Sequence, residues 1–195
     1  QQAFAALSPR DVFSDLFKNS EMKQKLGLVY VDFDVADMLV SELTFDDAPR
    51  QLAVFNALNG TIPLAIKDRY KNVEITCIES FPYFDAHLKQ LGFNVMQWDE
   101  FVNMNTEVHL SKFSVYVGNP PYQQQDCGHG ASAKPIYQLF VNKAIEDDPE
   151  HILMIMPSRW MTGGKGLDKF RAQMLADTRI NVIHDYHSSK ELFPN

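Results

Sequence analysis

The amino-acid sequence predicts an α/β fold with a mostly parallel central sheet and helices on both faces. Two observations support this prediction. Short apolar runs rich in β-branched and aromatic residues alternate with segments whose apolar residues recur at helical spacing. The clearest run, residues 113–117, stops at two consecutive prolines, which have no backbone N–H to donate and therefore end a buried parallel strand.

Composition is typical of an ordinary globular protein. The 195 residues are 45% hydrophobic and 22% charged, which is enough to bury a substantial core. The two cysteines, Cys77 and Cys127, indicate no disulfide framework, and we expect a cytoplasmic protein without a signal peptide or membrane span. The formal charge of -7 indicates that DNA affinity does not come from the chain as a whole.

The chain is predicted to divide into a helical extension, residues 1–27, and one domain, residues 28–195. A Ser-Pro pair in the extension is a typical helix start, because Ser caps the first turn and Pro fits its first position. We assign no chemistry to this extension. The domain begins with an amphipathic helix whose N-cap is predicted to be Asp32 or Asp34.

Strands and helices then alternate along the domain. The strands are predicted at residues 52–56, 73–78, 92–98, 113–117, 151–156 and 180–186. The helices between them are predicted at residues 63–70, 80–91, 100–104, 135–145 and in the segment that ends at 176. Residues 123–133 form a polar, glycine-rich loop. Its Cys127 and His129 are too few ligands for a structural zinc site, so no metal is expected.

The residues after the fourth strand carry the most specific signal. The sequence reads FSVYVGNPPY, so Asn119, Pro120, Pro121 and Tyr122 lie at the carboxyl edge of the sheet, where open α/β sheets bind ligands. A strand followed by Asn-Pro-Pro-Tyr resembles motif IV of the amino-methyltransferases that act on the exocyclic amine of adenine in DNA. The segments MIMPSRWMTGGKGLDKFR and HDYHSSKELFP are similar to the methyltransferase portion of enzymes that fuse restriction and modification.

This resemblance implies a Rossmann-like class I methyltransferase fold and catalysis by fixed hydrogen-bond acceptors. The Asn119 side-chain oxygen and the Pro120 carbonyl would accept the N–H groups of the adenine amine as it attacks a methylsulfonium. The prolines would hold these acceptors in place, and Tyr122 would stack on a base flipped out of the duplex. A nucleoside-shaped crevice is expected between Asn119 and the glycine turn near Gly60. The structural alternative is a turn that only terminates a core strand.

The resemblance also implies an S-adenosylmethionine site at the ends of the first three strands. The implied cofactor residues precede the first helix, form the loop after strand one, or follow strands two and three: Tyr30, Asn56, Gly60, Thr61, Glu79, Ser80 and Asp99. From local sequence alone, Glu79 is equally explained as an acid at a helix N-terminus and Asp99 as an N-cap.

The glycine loop departs from the family pattern, which has an acid, a proline and a final glycine at defined places. Asn56 stands in place of the acid, Ala57 in place of the proline and Ile62 in place of the last glycine. We expect Ile62 to resist a positive φ and to project its side chain where the backbone should approach the cofactor. These departures predict weakened cofactor binding.

Two functions remain compatible with the sequence. One is a DNA adenine methyltransferase domain that contacts phosphates through Arg159, Lys165 and Lys169 and obtains sequence specificity from another chain or a missing region. The other is an inactive methyltransferase-like module that binds a protein partner, for example of a restriction-modification system, or a second copy of itself. The last strand that family members place beside residues 180–186 is expected to be absent.

Overall fold

The computed structural model describes residues 29–46, 50–104, 113–123 and 134–193. Its strands are β1 (Arg50–Phe55), β2 (Val73–Glu79), β3 (Asn94–Gln97), β4 (Val115–Gly118) and β5 (His151–Met154). They form one sheet in the order β3-β2-β1-β4-β5, and each neighbouring pair is parallel. The predicted α/β class with a parallel sheet is confirmed.

Helices connect these strands. They are α1 (Phe33–Ser41), α2 (Thr61–Arg69), α3 (Asp85–Gln90), α4 (Trp98–Val102), α5 (Tyr137–Glu146) and α6 (Asp168–Ala176), with 3-10 turns at Pro82–Phe84, Ser158–Met161 and Ser189–Glu191. Asp32 is the N-cap of α1, because its Oδ1 accepts the Val35 N–H at 3.0 Å. Residues 1–27 lie outside the described ranges. No helix within those ranges combines the length and hydrophobicity that a bilayer span requires.

Alternate residues of the strands bury two hydrophobic cores, one on each face of the sheet. Leu52 and Val54 of β1 face a core that includes residues of α1, α2 and α3. Ala53 and Phe55 face a second core that includes residues of α4 and α5. The predicted arrangement of helices on both faces is therefore confirmed, and β1 is buried at the centre of the sheet.

The predicted sixth strand, residues 180–186, is wrong. This segment pairs with none of the described strands, and its Val182 and Ile183 are 57% and 56% exposed. β5 is half-buried although the sequence predicted a buried strand, because it lies at the edge of the described sheet. Strand-forming residue types were present at 180–186, but a strand also needs a neighbour with which to pair.

The segment runs back to α1. His184 Nε2 lies 3.1 Å from Glu42 Oε1, and the Tyr186 hydroxyl donates to the sulfur of Met38 at 3.2 Å. Further along, Leu192 and Phe193 pack against the core that α1 shares with β1. The end of the described chain is thus held against the beginning of the domain.

Candidate active site at the carboxyl edge of the sheet

The carboxyl ends of β1, β2 and β4 carry polar side chains at one edge of the sheet. The register pairs Phe55 of β1 with Ile78 of β2 on one side and with Gly118 of β4 on the other. The next residues along the three strands are Asn56, Glu79 and Asn119. These three residues are therefore neighbours at the carboxyl edge of the sheet. The structure brings together the predicted site residues of three strands, and their binding roles stay predictions.

Hydrogen bonds hold both ends of the Asn119 side-chain amide. Nδ2 donates to the Val29 carbonyl at 2.8 Å, and Oδ1 accepts the Tyr122 hydroxyl at 2.8 Å. The backbone N–H of Asn119 donates to the Phe55 carbonyl at 3.2 Å. Because the Val29 carbonyl can only accept, it fixes the amide with its oxygen toward Tyr122.

The corner after β4 is tightly constrained. A Cβ added at Gly118 would lie 2.7 Å from both Cβ and the carbonyl oxygen of Phe55. Pro120 and Pro121 are buried, so the proline-locked loop packs against the domain. Burial raises the pKa of Tyr122 above its usual value, which keeps its hydroxyl protonated as a donor to Asn119.

The side chains at this edge do not face an open crevice, contrary to the sequence prediction. Asn119 is 2% exposed and Glu79 is fully buried. Residues 56–60 are buried as well, so the space expected between Asn119 and the glycine turn is closed in this conformation. A ligand that binds here must move part of the protein.

The loop after β1 reaches its shape through residues other than those predicted. Asn56, Leu58 and Gly60 have positive φ values of 58°, 52° and 86°. Ile62 lies in the first turn of α2, and its side chain packs in the core at 2% exposure. The expectation that the Ile62 side chain projects where the cofactor should approach is therefore wrong. Thr61, the first residue of α2, is buried.

The Glu79 carboxylate binds this loop. Oε1 accepts the Ala57 N–H at 2.6 Å, and Oε2 accepts the Leu58 N–H at 3.4 Å. Burial raises the pKa of Glu79 to about 8; the two N–H groups oppose that rise and the nearby Asp85 adds to it. Glu79 ends β2 and α3 begins at Asp85, so the alternative of a helix N-terminal acid is wrong.

Tyr30 and Asp99 occupy very different environments. Burial raises the pKa of Tyr30 to about 12, and its ring meets Phe84 edge-on at 6.4 Å. Asp99 is exposed in the first turn of α4. The N-cap of that helix is Gln97, so the capping role considered for Asp99 is wrong.

The three predicted phosphate contacts are exposed in the second half of the chain. Arg159 lies in a 3-10 turn, Lys165 in the glycine-rich loop with a φ of 50°, and Lys169 in α6. Cys127 and His129 lie outside the described residues.

Polar atoms at this edge are hydrogen-bond acceptors of the type that a nucleoside cofactor requires. Asn56 Oδ1 and Ser80 Oγ are buried without a hydrogen-bond partner in the described part of the chain, so each can still accept a hydrogen bond. When ionised, the Glu79 carboxyl group suits a pair of hydroxyl groups, as a carboxylate accepts two hydrogen bonds at once. The fit requires Glu79 to exchange the N–H groups of Ala57 and Leu58 for those hydroxyls.

Sequence reasoning missed Val29 and Leu58 as parts of the site. Both act through backbone groups: the Val29 carbonyl fixes Asn119, and the Leu58 N–H binds Glu79. Every residue type except proline supplies the same backbone groups, so residue identity carries no signal for such contacts.

Comparison with known proteins points to one family. Residues 31–193 match the Eco57I restriction-modification methylase family. Over 120 residues the chain is 36% identical to an uncharacterized adenine-specific methylase of Mycoplasma pneumoniae, an alignment that covers 60% of this chain and 26% of that protein. The chain therefore corresponds to about a quarter of the length of this relative.

Similarities to solved structures are distant. A coclaurine N-methyltransferase bound to N-methylheliamine and SAH has a TM-score of 0.41 and 11% identity, covering 62% of this chain and 34% of that one. A protein from Corynebacterium glutamicum has a TM-score of 0.47 and 12% identity, covering 91% and 88%. Both are too distant to inform function. The family match extends over most of the chain, and the chain therefore belongs to the Eco57I restriction-modification methylase family.

Proposed function

We propose that this chain is the methyl-transferring part of an adenine-specific DNA methylase that uses S-adenosylmethionine. The observation that carries the proposal is the orientation of Asn119. Val29 engages the amide nitrogen, so the oxygen is presented at the carboxyl edge of the sheet, on a strand next to the one that leads to Asn56. Membership of the methylase family supports the same reaction.

The chemistry assigned to the corner is acceptance of hydrogen bonds from an amine. Asn119 Oδ1 and the Pro120 carbonyl accept the two N–H groups of adenine and stabilise the positive charge that its nitrogen gains on attack. Both acceptors are held in advance, Asn119 by Val29 and Pro120 by the rigid loop, so little reorganisation is needed. S-adenosylmethionine supplies the methyl group when bound, and Tyr30, Asn56 and Glu79 are the residues proposed to hold it.

Tyr122 has two proposed positions in this reaction. Its hydroxyl now donates to Asn119 Oδ1, and we propose that it leaves when the amine arrives. A tyrosine released from that contact presents its ring to a flipped base. The same residue would thus protect the acceptor in the absence of DNA and stack on the base in its presence.

DNA is the proposed substrate, and its backbone is expected at Arg159, Lys165 and Lys169 because these cations are exposed. A net charge of -7 argues that much of the affinity comes from another chain or region, which we propose also reads the bases. The cytoplasm is the proposed location, since DNA methylation takes place there in cells without a nucleus.

The closed loop favours a second candidate, a methylase-like module that binds a protein partner or a second copy of itself without transferring methyl groups. The Glu79 carboxylate is already engaged, and the acid and proline of the family pattern are replaced by Asn56 and Ala57. Calorimetry with S-adenosylmethionine separates the candidates. Binding supports the enzyme, whereas no heat at millimolar cofactor supports the module.

The proposed role of Asn119 is tested by transfer of a labelled methyl group from S-adenosylmethionine to adenine-containing DNA. Asn119→Ala removes an acceptor used in the transition state, so we expect the rate to fall about 100-fold or more with cofactor affinity nearly unchanged. Asn103→Ala is the matched control, because Asn103 is exposed and its amide also bonds a backbone carbonyl. Methyl transfer that survives in Asn119→Ala contradicts the proposal.

A further inference from the structure

We propose that the loop after β1, residues 56–60, is an autoinhibitory latch whose N–H groups occupy the carboxylate that a nucleoside diol would bind. The inference rests on the proposed function, because it concerns access to the same site. It goes beyond that function by identifying what keeps the site closed and which ligand group must open it.

The latch is fastened at both ends and in the middle. At its start the Asn56 N–H donates to the Ile78 carbonyl at 2.9 Å, and within the loop the Gly60 N–H donates to the Ala57 carbonyl at 2.8 Å. His87 Nε2 lies 3.0 Å from the Asn59 carbonyl. The central fastening is the pair of bonds from the loop to Glu79, whose carboxylate is completely buried beneath it.

The backbone of the latch is held in an unfavourable conformation. Leu58 has a φ of 52°, in the left-handed region where Cβ crowds the following carbonyl. Two contacts offset this cost, since the Leu58 side chain is buried in the core and its N–H reaches Glu79. Backbone strain stored beside a binding site is a feature of segments that switch between two states.

Closure and ligand binding compete for the same atoms. The two loop N–H groups reach the two oxygens of Glu79 separately, one to each. A vicinal diol donates its two hydroxyl hydrogens to a carboxylate in the same bidentate manner. Because Glu79 is fully buried, the diol reaches its oxygens only when the loop moves, and the measured affinity is the intrinsic affinity reduced by the fraction of molecules that are open.

Two variants weaken the latch without touching the carboxylate. Ala57→Pro removes the N–H that makes the 2.6 Å bond to Glu79, and Leu58→Ala removes the buried anchor but keeps its N–H. Leu64→Ala is the matched control, because Leu64 packs against the same core from α2 and makes no bond to Glu79. Affinity for S-adenosylhomocysteine is measured by calorimetry on the whole chain.

We expect both latch variants to bind S-adenosylhomocysteine about tenfold more tightly or better than the wild type, as for a state that is mostly closed. Leu64→Ala should match the wild type. Amide hydrogen exchange adds a readout independent of affinity: saturation with the ligand should accelerate exchange at Ala57 and Leu58 and leave Asn56, bonded to Ile78, protected.

The outcomes distinguish the latch from the proposed function. If the wild type binds and neither variant binds more tightly, the latch is overturned and the methylase proposal stands. If no folded form binds, both the latch and the cofactor assignment are overturned. If Ala57→Pro fails to fold, Leu58→Ala and the wild-type amide exchange decide the matter.

Discussion

At the scale of single residues, Glu79 shows how one buried carboxylate links stability to pH. Burial raises its pKa to about 8 from the 4.5 of an ordinary Glu, so the folded state holds the proton more tightly than the unfolded chain does. Its stabilising contribution is complete below about pH 4.5 and is lost as the pH rises through about 8. Asp85 and the buried thiol of Cys77 are the titratable groups coupled to it.

Glu79→Gln tests this linkage. We expect the urea midpoint of the wild type to fall between about pH 5 and pH 8, and that of Glu79→Gln to change much less, because an amide has no proton to lose. Glu74→Gln is the control, since Glu74 is exposed on the same strand and should keep the wild-type slope. An unchanged slope in Glu79→Gln contradicts the linkage.

Residues whose role depends on their immediate neighbours were predictable from the sequence. Asp32 caps a helix and Asn119 follows a strand that prolines terminate, and both rules involve only a few adjacent residues. The prediction for the Ile62 side chain was wrong because the non-glycine residues of the loop that have a positive φ are Asn56 and Leu58. The loop in this conformation bonds to Glu79 through the N–H groups of Ala57 and Leu58, which are 22 and 21 residues away from it.

At the scale of elements, the approach of β4 to β1 positions the corner that contains Asn119. Gly118 pairs with Phe55, and a Cβ at Gly118 would meet the Phe55 backbone oxygen at 2.7 Å. A backbone atom in a central strand cannot move aside as a flexible side chain can. The spacing of these two strands therefore determines where Asn119 lies.

Gly118→Ala should separate the two strands. We expect a loss of about 1–3 kcal/mol in the free energy of unfolding, measured by urea denaturation, because the methyl group overpacks the strand pair. Ser114→Ala, near the start of β4, removes only an exposed hydrogen bond to Gln51 and should change stability by less than about 0.5 kcal/mol. Equal stability of the two variants contradicts the close approach.

The strand that failed to form shows what element prediction lacks. Residues 180–186 have suitable residue types, yet none of the described strands pairs with them. β-strand preference largely reflects packing against a neighbour, and a neighbour is a property of the sheet rather than of the segment. The parallel direction of the five strands, in contrast, follows from a repeated strand-helix alternation that the sequence displays.

At the scale of the whole molecule, the last segment of the described chain contacts α1, the first described helix. Phe193 and Leu192 pack against the core that α1 completes, and His184 pairs with Glu42 beyond that helix. His184 and Glu42 are 142 residues apart in the sequence, so no local sequence pattern predicts their contact. The segment between α6 and Phe193 therefore contacts α1 and the core that α1 helps to form.

Phe193→Ala tests the packing of the last described residues against this core. We expect a loss of about 1–3 kcal/mol in the free energy of unfolding, less than for a fully buried Phe because Phe193 is only partly buried. Leu175→Ala is the control, because Leu175 is 62% exposed on α6 and should change stability by less than about 0.5 kcal/mol. A Phe193→Ala variant as stable as this control contradicts the packing.

The bond between the Val29 carbonyl and Asn119 joins positions 90 residues apart. Substitutions at position 29 preserve a carbonyl, so the identity of that residue is free to drift among related chains. An inserted or deleted residue between Val29 and the Asp32 cap would instead rotate the carbonyl away from the amide. Among relatives, we therefore expect the number of residues between position 29 and the helix cap to be conserved, whereas the residue type at position 29 can vary.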